Sequence, residues 1–350
     1  MAQVGEAQDL KRRQAALLER AARQWRAELA DRVVVVTGGA RGIGRVMAEG
    51  LLGASARVAC ADKAWQGAED FEESLNASER SLAIDMDITD DAAVEAGVSA
   101  VLERFGAVDV LINNAGLVSE TLFAPHGHVP TLETADKDWE TMFGVNVFGT
   151  VKVIRRFIEP MLAQQRGSIV NIVSSGVLST SIGGAFFGAR PWTVEMPYQA
   201  AKAALTTMTF YLAQEVRAQG VRVNALMPGH TRSSWFDDTA RAFQETGGIY
   251  ALRPLTAGHL LPIVYFLSAQ PTDSFEASSG RLYHVPDWNY DHGYGDVRVW
   301  GDYDLPADLD ASYRRLEAAL PDYWRAGLAR APFDVERVAY GMTMDKLKSD

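Results

Sequence analysis

The stretch Val33-Val34-Val35-Val36-Thr37-Gly38-Gly39-Ala40-Arg41-Gly42-Ile43-Gly44 constrains this chain more than any other. Four β-branched residues in a row read as a strand buried on both faces. The glycines that come next force a tight turn, and Ile43 to Leu52 reads as the start of a helix. Gly38, Gly42 and Gly44 carry no Cβ, so the backbone there can turn sharply and come close to a ligand. A helix beginning at such a turn presents free N–H groups and a positive dipole end, which suits a pyrophosphate.

Strand and helix go on alternating downstream. Arg57 to Ala61 reads as a second strand ending in Asp62, and Ser81 to Ile84 as a third, followed by Asp87, Ile88 and Asp90, the last an N-cap for a helix to about Phe105. Val108 to Ile112 reads as a fourth strand leading into Asn113-Asn114-Ala115-Gly116, and a helix over about Asp136 to Glu159 contains Asn146. Ser168 to Val173, Val221 to Leu226 and Arg281 to Val285 read as the fifth to seventh strands. The expected fold class is therefore α/β: a doubly wound, Rossmann-type parallel sheet of about seven strands with helices on both faces.

The 350 residues exceed what such a sheet needs, and extensions at both ends account for the rest. Residues 1–30 read as a helical extension, 31–286 as the sheet domain, and 287–350 as a C-terminal extension. In the last, Trp288, Tyr290, Tyr294 and Trp300 precede an apolar helical stripe over about Ala307 to Ala329 that Pro321 interrupts. Surface of that kind needs a partner, and we expect a lid over the substrate side of its own subunit or a contact with a neighbouring one.

Composition excludes several partners. The formal charge of −11 argues against nucleic acid and anionic membrane. Cys60 is the single cysteine, so no internal disulfide can form, and a reducing cytoplasm is the expected compartment. Glu6, Asp9 and Lys11 to Arg13 do not suit a secretory signal, nor do the acids to Glu28 suit a transit peptide. His126 and His128 lack a nearby cysteine or carboxylate pair and read as loop residues, so no metal is expected.

The motifs Thr37–Gly44, Asn113–Gly116, Asn146, Ser174, Tyr198-Gln199-Ala200-Ala201-Lys202 and Pro228-Gly229, in that order, resemble the short-chain dehydrogenase/reductase superfamily over residues 31–286. The residue Arg41 stands where the longer epimerase/dehydratase branch has a glycine, so the extra length is terminal extension. The resemblance implies an NAD(P)-dependent oxidoreductase interconverting a secondary alcohol and a ketone. Tyr198 and Lys202 share a helix face, and an ammonium beside a phenol favours phenolate, which readies Tyr198 as acid and base. The residue Ser174 would donate to the substrate oxygen. The gap from Ser174 to Tyr198 is longer than is usual in the family. Ser175 is the fallback, and residues 176–197 carry an insertion beside the site. By resemblance, Asn146 holds a water in a proton relay through Lys202, which also holds the ribose.

Cofactor contacts are implied for Gly38, Arg41, Gly42, Ile43, Gly44, Asp62, Asp87, Ile88, Asn114, Ala115, Gly116, Tyr198, Lys202, Pro228, Gly229, Thr231 and Ser233. Bases at the positions of Arg41 and Lys63 often mark a 2′-phosphate site, which keeps NADP open. A carboxylate at Asp62 would repel that phosphate, so NAD is favoured. Phe186, Phe187, Trp192 and Met196 suggest an apolar or ring-bearing small-molecule substrate. A homo-oligomer, dimer or tetramer, is expected. A nucleotide-binding scaffold or sensor without turnover is the alternative, against which the full Asn-Ser-Tyr-Lys set argues.

Overall fold

Strand β1 (Val33–Thr37) is buried along its whole length, and its side chains serve two layers. Val34 and Val36 pack with Met47, Leu51, Leu260 and Ile263 on one face of the sheet, while Val33 and Val35 pack with Val94, Val101 and Phe157 on the other. The run of valines is thus the signature of a strand with helices above and below it. The computed structural model describes residues 2–127, 129–174, 176–177, 196–245, 250, 253–271 and 277–319, with side chains from residue 5 to 318.

Helices α1 (Ala2–Leu29), α2 (Gly42–Gly53), α3 (Glu69–Asn76) and α4 (Asp91–Phe105) alternate with β2 (Arg57–Asp62) and β3 (Ser81–Asp85). The side chain of Asp90 caps α4 by accepting from the Ala92 amide at 2.9 Å, and Gly106 ends that helix in the left-handed conformation. After β4 (Val110–Asn113) come the short α5 (Ser119–Leu122), α6 (Asp136–Phe143) and α7 (Thr150–Ala163), then β5 (Gly167–Ile172). The chain continues through α8 (Tyr198–Val216), β6 (Val221–Met227), α9 (Phe236–Glu245), α10 (Leu261–Ala269), β7 (Leu282–His284), α11 (Val285–Asp291) and α12 (Ala307–Ala319). The seven strands form one sheet in the order β3-β2-β1-β4-β5-β6-β7, and every pairing is parallel. The order reverses between β1 and β4, so the ligand crevice of such a sheet opens above the C-terminal ends of those two strands.

Two elements differ from the sequence reading. The helix expected over Asp136 to Glu159 is broken into α6 and α7 by a π-turn, Gly144–Gly149, with Asn146 inside it. The strand expected to run to Val285 stops at His284, because Pro286 falls in the first turn of α11, where a missing N–H costs nothing.

The N-terminal helix joins the main core. Ala21 and Leu29 are fully buried, and Trp25 meets Phe266 of α10 edge-on at 5.8 Å. It also binds the chain beyond β7: the Gln14 amide donates to the carbonyls of Val299 and Gly301, Tyr294 donates to Gln24, and Lys11 pairs with Asp304. Of the helix expected over Ala307–Ala329, residues 307–319 are helical; Leu320, Pro321, Tyr323, Trp324 and Leu328 lie outside the described residues. No helix among the described residues is long and apolar enough to cross a membrane.

Candidate active site

The turn after β1 is shaped for close approach. Gly38 and Gly42 adopt φ of +65° and +57°, which side chains rarely tolerate. A Cβ on Gly38 would stand 2.7 Å from the Ala115 Cα, and one on Gly44 would overlap the Gly38 carbonyl. Asn114 locks the two strand ends together, its amide donating to the carbonyls of Thr37 and Gly38 at 3.1 and 2.9 Å. The Thr37 hydroxyl accepts from the amides of Asn114 and Ala115. Ile43 is half-buried against the core behind the turn.

Asp62 ends β2 with its carboxylate accepting from the Ala40 and Ala64 amides at 3.0 and 3.1 Å. The two bases nearby are committed elsewhere. Arg41 donates to the Ala64 carbonyl at 2.7 Å, and Lys63 pairs with Asp87 at 3.3 Å. Burial raises the Asp87 pKa, but hydrogen bonds from Thr89 and the Lys63 charge outweigh it and hold the group below the usual carboxylate value. Ile88 is buried against Gly149 of the π-turn.

The catalytic candidates come from three segments: the π-turn, the end of β5 and α8. Lys202 is buried on α8, donates to the Ile172 carbonyl at 3.0 Å, and places its ammonium 5.8 Å from the centre of the Tyr198 ring. Burial lowers its pKa to about 8. A Cβ on Gly116 would stand 2.7 Å from Asn146 Oδ1 and 3.4 Å from Lys202 Nζ, so these three meet at one point. The amide of Asn146 clamps Leu117, accepting from its N–H at 2.9 Å and donating to its carbonyl at 2.8 Å. Ser174 follows β5 by two residues, and its hydroxyl accepts from the Gly176 amide at 3.3 Å. Ser175, His128, Phe186, Phe187, Trp192 and most of the insertion at 176–197 lie outside the described residues.

Beyond β6, Gly229 turns at φ +75°, and Thr231 is buried with its hydroxyl over the Pro228 and Gly229 carbonyls. Ser233 faces the glycine turn: its Cβ would lie 3.9 Å from one on Gly42, and its hydroxyl is buried without a hydrogen-bond partner. A cradle open only because Cβ atoms are missing, faced by an unsatisfied hydroxyl, fits a dinucleotide phosphate. Among the described residues no group of His, Cys, Asp and Glu is arranged to hold a metal, and His126 lies edge-on to Phe243 at 5.2 Å.

Sequence reasoning missed three features here. His259 is fully buried beneath the Pro228 turn, its ring nitrogens 2.7 Å from the carbonyls of Pro228 and Thr256. The rings of His230, Trp235, Phe236 and Phe243 surround Tyr250, whose hydroxyl donates to Glu120 of α5 at 2.8 Å. Arg232 and Arg253 bind carboxylates of the C-terminal extension. The aromatic count after residue 234 was the only sequence signal for the second, and the other two had none.

A parallel sheet with a glycine turn at its switch point and a Tyr–Lys pair beside the fifth strand defines a nucleotide-dependent dehydrogenase, and the chain belongs to the short chain dehydrogenase family, whose profile matches residues 32–242. It is a nicotinamide-dependent oxidoreductase of the alcohol–carbonyl class. The fluoren-9-ol dehydrogenase of Terrabacter sp. (strain DBF63) is 62% identical over 335 residues, 96% of this chain and 93% of that protein. A match of that length reaches into both terminal segments. The L-fucose dehydrogenase of Mus musculus is 32% identical over 209 residues, 60% of this chain and 68% of its own. The crystal structure of a 3-ketoacyl-(acyl-carrier-protein) reductase from Brucella melitensis complexed with NADH superposes with a TM-score of 0.59 at 26% identity, covering 73% of this chain and 97% of that one.

Proposed function

We propose that this chain oxidises, or forms by reduction, a secondary alcohol whose carbinol carbon lies within a fused aromatic ring system, with NAD as its dinucleotide. The observation that carries the chemical reading is the buried Lys202 ammonium held between the Ile172 carbonyl and the Tyr198 ring. A cation so placed favours the phenolate of Tyr198, which takes the hydroxyl proton in oxidation and returns it in reduction. The Ser174 hydroxyl donates to the substrate oxygen and steadies the charge that develops there. When bound, the nicotinamide accepts or supplies the hydride at the carbinol carbon. The Asn146 amide is spent on Leu117 and its main-chain carbonyl accepts from the Thr150 hydroxyl at 3.0 Å, so a share in a water relay to Lys202 would use the second lone pair of that carbonyl.

The ring-bearing substrate is supported by the 62% identity with a fluoren-9-ol dehydrogenase. Preference for NAD is supported by the Asp62 carboxylate, fixed by two amides, while Lys63 and Arg41 are turned to other partners. A 2′-phosphate would have to draw Lys63 from Asp87 while facing Asp62. The division into extensions 1–30 and 287–350 around a dehydrogenase domain 31–286 belongs to the same reading, as does a cytoplasmic location, which suits the buried, unpaired Cys60. A homo-oligomer is supported by Phe148 and Tyr211, exposed on packed neighbouring segments that a second copy would cover. The test is absorbance at the nicotinamide band with fluoren-9-ol and each dinucleotide, beside small aliphatic alcohols. Turnover confined to the aliphatic alcohols would overturn the substrate class, and none with any alcohol or ketone would favour a scaffold.

A further inference from the structure

The segment after β6 is tied to the C-terminal extension by main chain and by charge at the same place. Leu255 bridges Thr231 on one side and Gly301 on the other. Its amide donates to the His230 carbonyl and its carbonyl accepts from the Arg232 amide, at 2.8 and 3.0 Å. On the far side, Thr256 donates to the Trp300 carbonyl and Asp302 to the Pro254 carbonyl, at 2.9 and 2.7 Å. A three-stranded backbone ladder thus connects residues 230–232 to residues 300–302.

Side chains reinforce it. Arg232 lies between Thr231 and Ser233, grips Asp237 with two bonds of 2.9 and 2.7 Å, and extends its remaining nitrogen to Asp302 at 3.2 Å. Arg253, whose side chain is 5% exposed, holds Asp310 at 2.7 Å and Glu317 at 2.7 and 3.2 Å on α12, and also donates to the Asp302 carbonyl at 3.0 Å. Bidentate guanidinium–carboxylate pairs fix orientation as well as distance. Thr231 and Ser233 flank Arg232 on this segment, and the Ser233 side chain lies beside the glycine turn with its hydroxyl unsatisfied.

We infer that the C-terminal extension is a working part of the dinucleotide clasp: Asp302 is a positioning residue that, through Arg232, holds Thr231 and Ser233 against the glycine turn. This rests on the reading of Thr231 and Ser233 as cofactor contacts. The described part of the extension acts through Arg232. It sets how closed the clasp is before the dinucleotide arrives, and so its effect falls on cofactor affinity rather than on the chemical step.

The experiment is a fluorescence titration of the full-length protein with NADH, run beside steady-state kinetics in NAD and thermal unfolding of the ligand-free protein. Asp302→Asn leaves the Arg232–Asp237 pair intact and takes the charge out of the Arg232–Asp302 tie, while the backbone ladder, the Arg253 bonds and the Arg232 bond to the Asp304 carbonyl remain. NADH affinity and KM for NAD should worsen about tenfold, with kcat at saturating NAD and the ligand-free midpoint retained. Asp302→Glu should recover part of the loss. The control is Asp308→Asn, which breaks the exposed pair with Arg241 at 3.1 Å, away from Thr231 and Ser233, and should bind NADH like the parent. Unchanged NADH affinity in Asp302→Asn, or an equal loss in Asp308→Asn, overturns the inference. Unchanged affinity in Thr231→Val overturns the clasp assignment itself, and the inference with it.

Discussion

The turn after β1 and the segment after β6 face each other across one crevice, yet they are held by different forces. At the first, main chain and small residues do the holding: Asn114 and Thr37 bind backbone groups, and Gly38 leaves no room beside Ala115. At the second, long side chains distant in sequence do it: Arg232 reaches Asp302, Arg253 reaches Glu317, and the Phe236 and Tyr313 rings stack at 6.4 Å. A backbone-built turn offers a fixed surface that charge or pH barely moves. A side-chain-built wall can be tuned residue by residue, but each buried charge in it depends on its partners, since stranding one is costly. Arg253 illustrates this. Burial disfavours its charge, but Glu317 and Asp310 more than offset that, and its pKa is raised.

The largest effect should come where chemistry, rather than holding, is at stake. Tyr198→Phe removes the oxygen proposed to transfer the proton but keeps the ring beside Lys202. Turnover should fall by roughly 100- to 10,000-fold while NADH binding and thermal stability stay near those of the parent. Near-normal turnover would remove Tyr198 from the acid–base role and leave the two walls without a reaction between them.

Next comes His259, which sits where the two modes of holding meet, under the Pro228 turn. Burial is the dominant influence and lowers its pKa to about 4, although the carbonyls of Pro228 and Thr256 pull the other way. Between about pH 6.5 and 4 the unfolded chain binds a proton there that the folded chain refuses. Stability must therefore fall as the pH drops through that window, by up to about 3 kcal/mol from this residue. Urea unfolding at stepped pH should show it, and His259→Gln should flatten the slope. A stability that instead rises as the pH falls toward about 6.5 and is flat below it would mean the two carbonyls hold an imidazolium.

Legibility in the sequence divides along the same line as the forces. The turn is readable because its glycines and the valine strand lie within a few residues of what they shape, and the Asp at the end of the next strand is marked by its place in the strand pattern. The Tyr198–Lys202 pair is readable because helix geometry puts residues four apart on one face. The π-turn at Asn146 is not, since the sequence from Asp136 to Glu159 has ordinary helical periodicity and the Leu117 that Asn146 clamps lies 29 residues away. Nor is the post-β6 wall. Arg232 and Asp302 lie 70 residues apart, and nothing local to either marks the other as its partner. The C-terminal extension could be read as needing a surface; the surface, around Phe236 and Tyr250, emerged only from the packing.

A smaller effect is expected on the choice of dinucleotide, at the turn. If Asp62 faces the 2′ position as proposed, NAD should bind about ten- to a hundredfold better than NADP. Asp62→Asn, which keeps an acceptor for the Ala40 and Ala64 amides, should narrow the ratio. Tighter NADP binding in the parent would mean that Arg41 and Lys63 leave their present partners and dominate.

The smallest effect tests the side-chain-built wall alone. Tyr313 is buried on α12, its ring against Phe236, and its hydroxyl donates to the Tyr250 carbonyl at 2.7 Å. Burial also pushes its pKa well up, so the hydroxyl stays protonated and available as a donor throughout the working range. Tyr313→Phe keeps the stacking and most of the buried area, and leaves one carbonyl without its donor. The net worth of such a bond is about 1 kcal/mol, rising toward 2 if no water can reach the carbonyl. Urea unfolding should register a loss of that size, with kcat unchanged, because the hydroxyl touches the wall and not the reacting atoms. A drop in kcat comparable to that of Tyr198→Phe would show that the wall takes part in the chemistry, and the distinction between the two sides of the crevice would fail. No loss of stability at all would mean that ring stacking and the arginine pairs hold α12 in place without the hydroxyl.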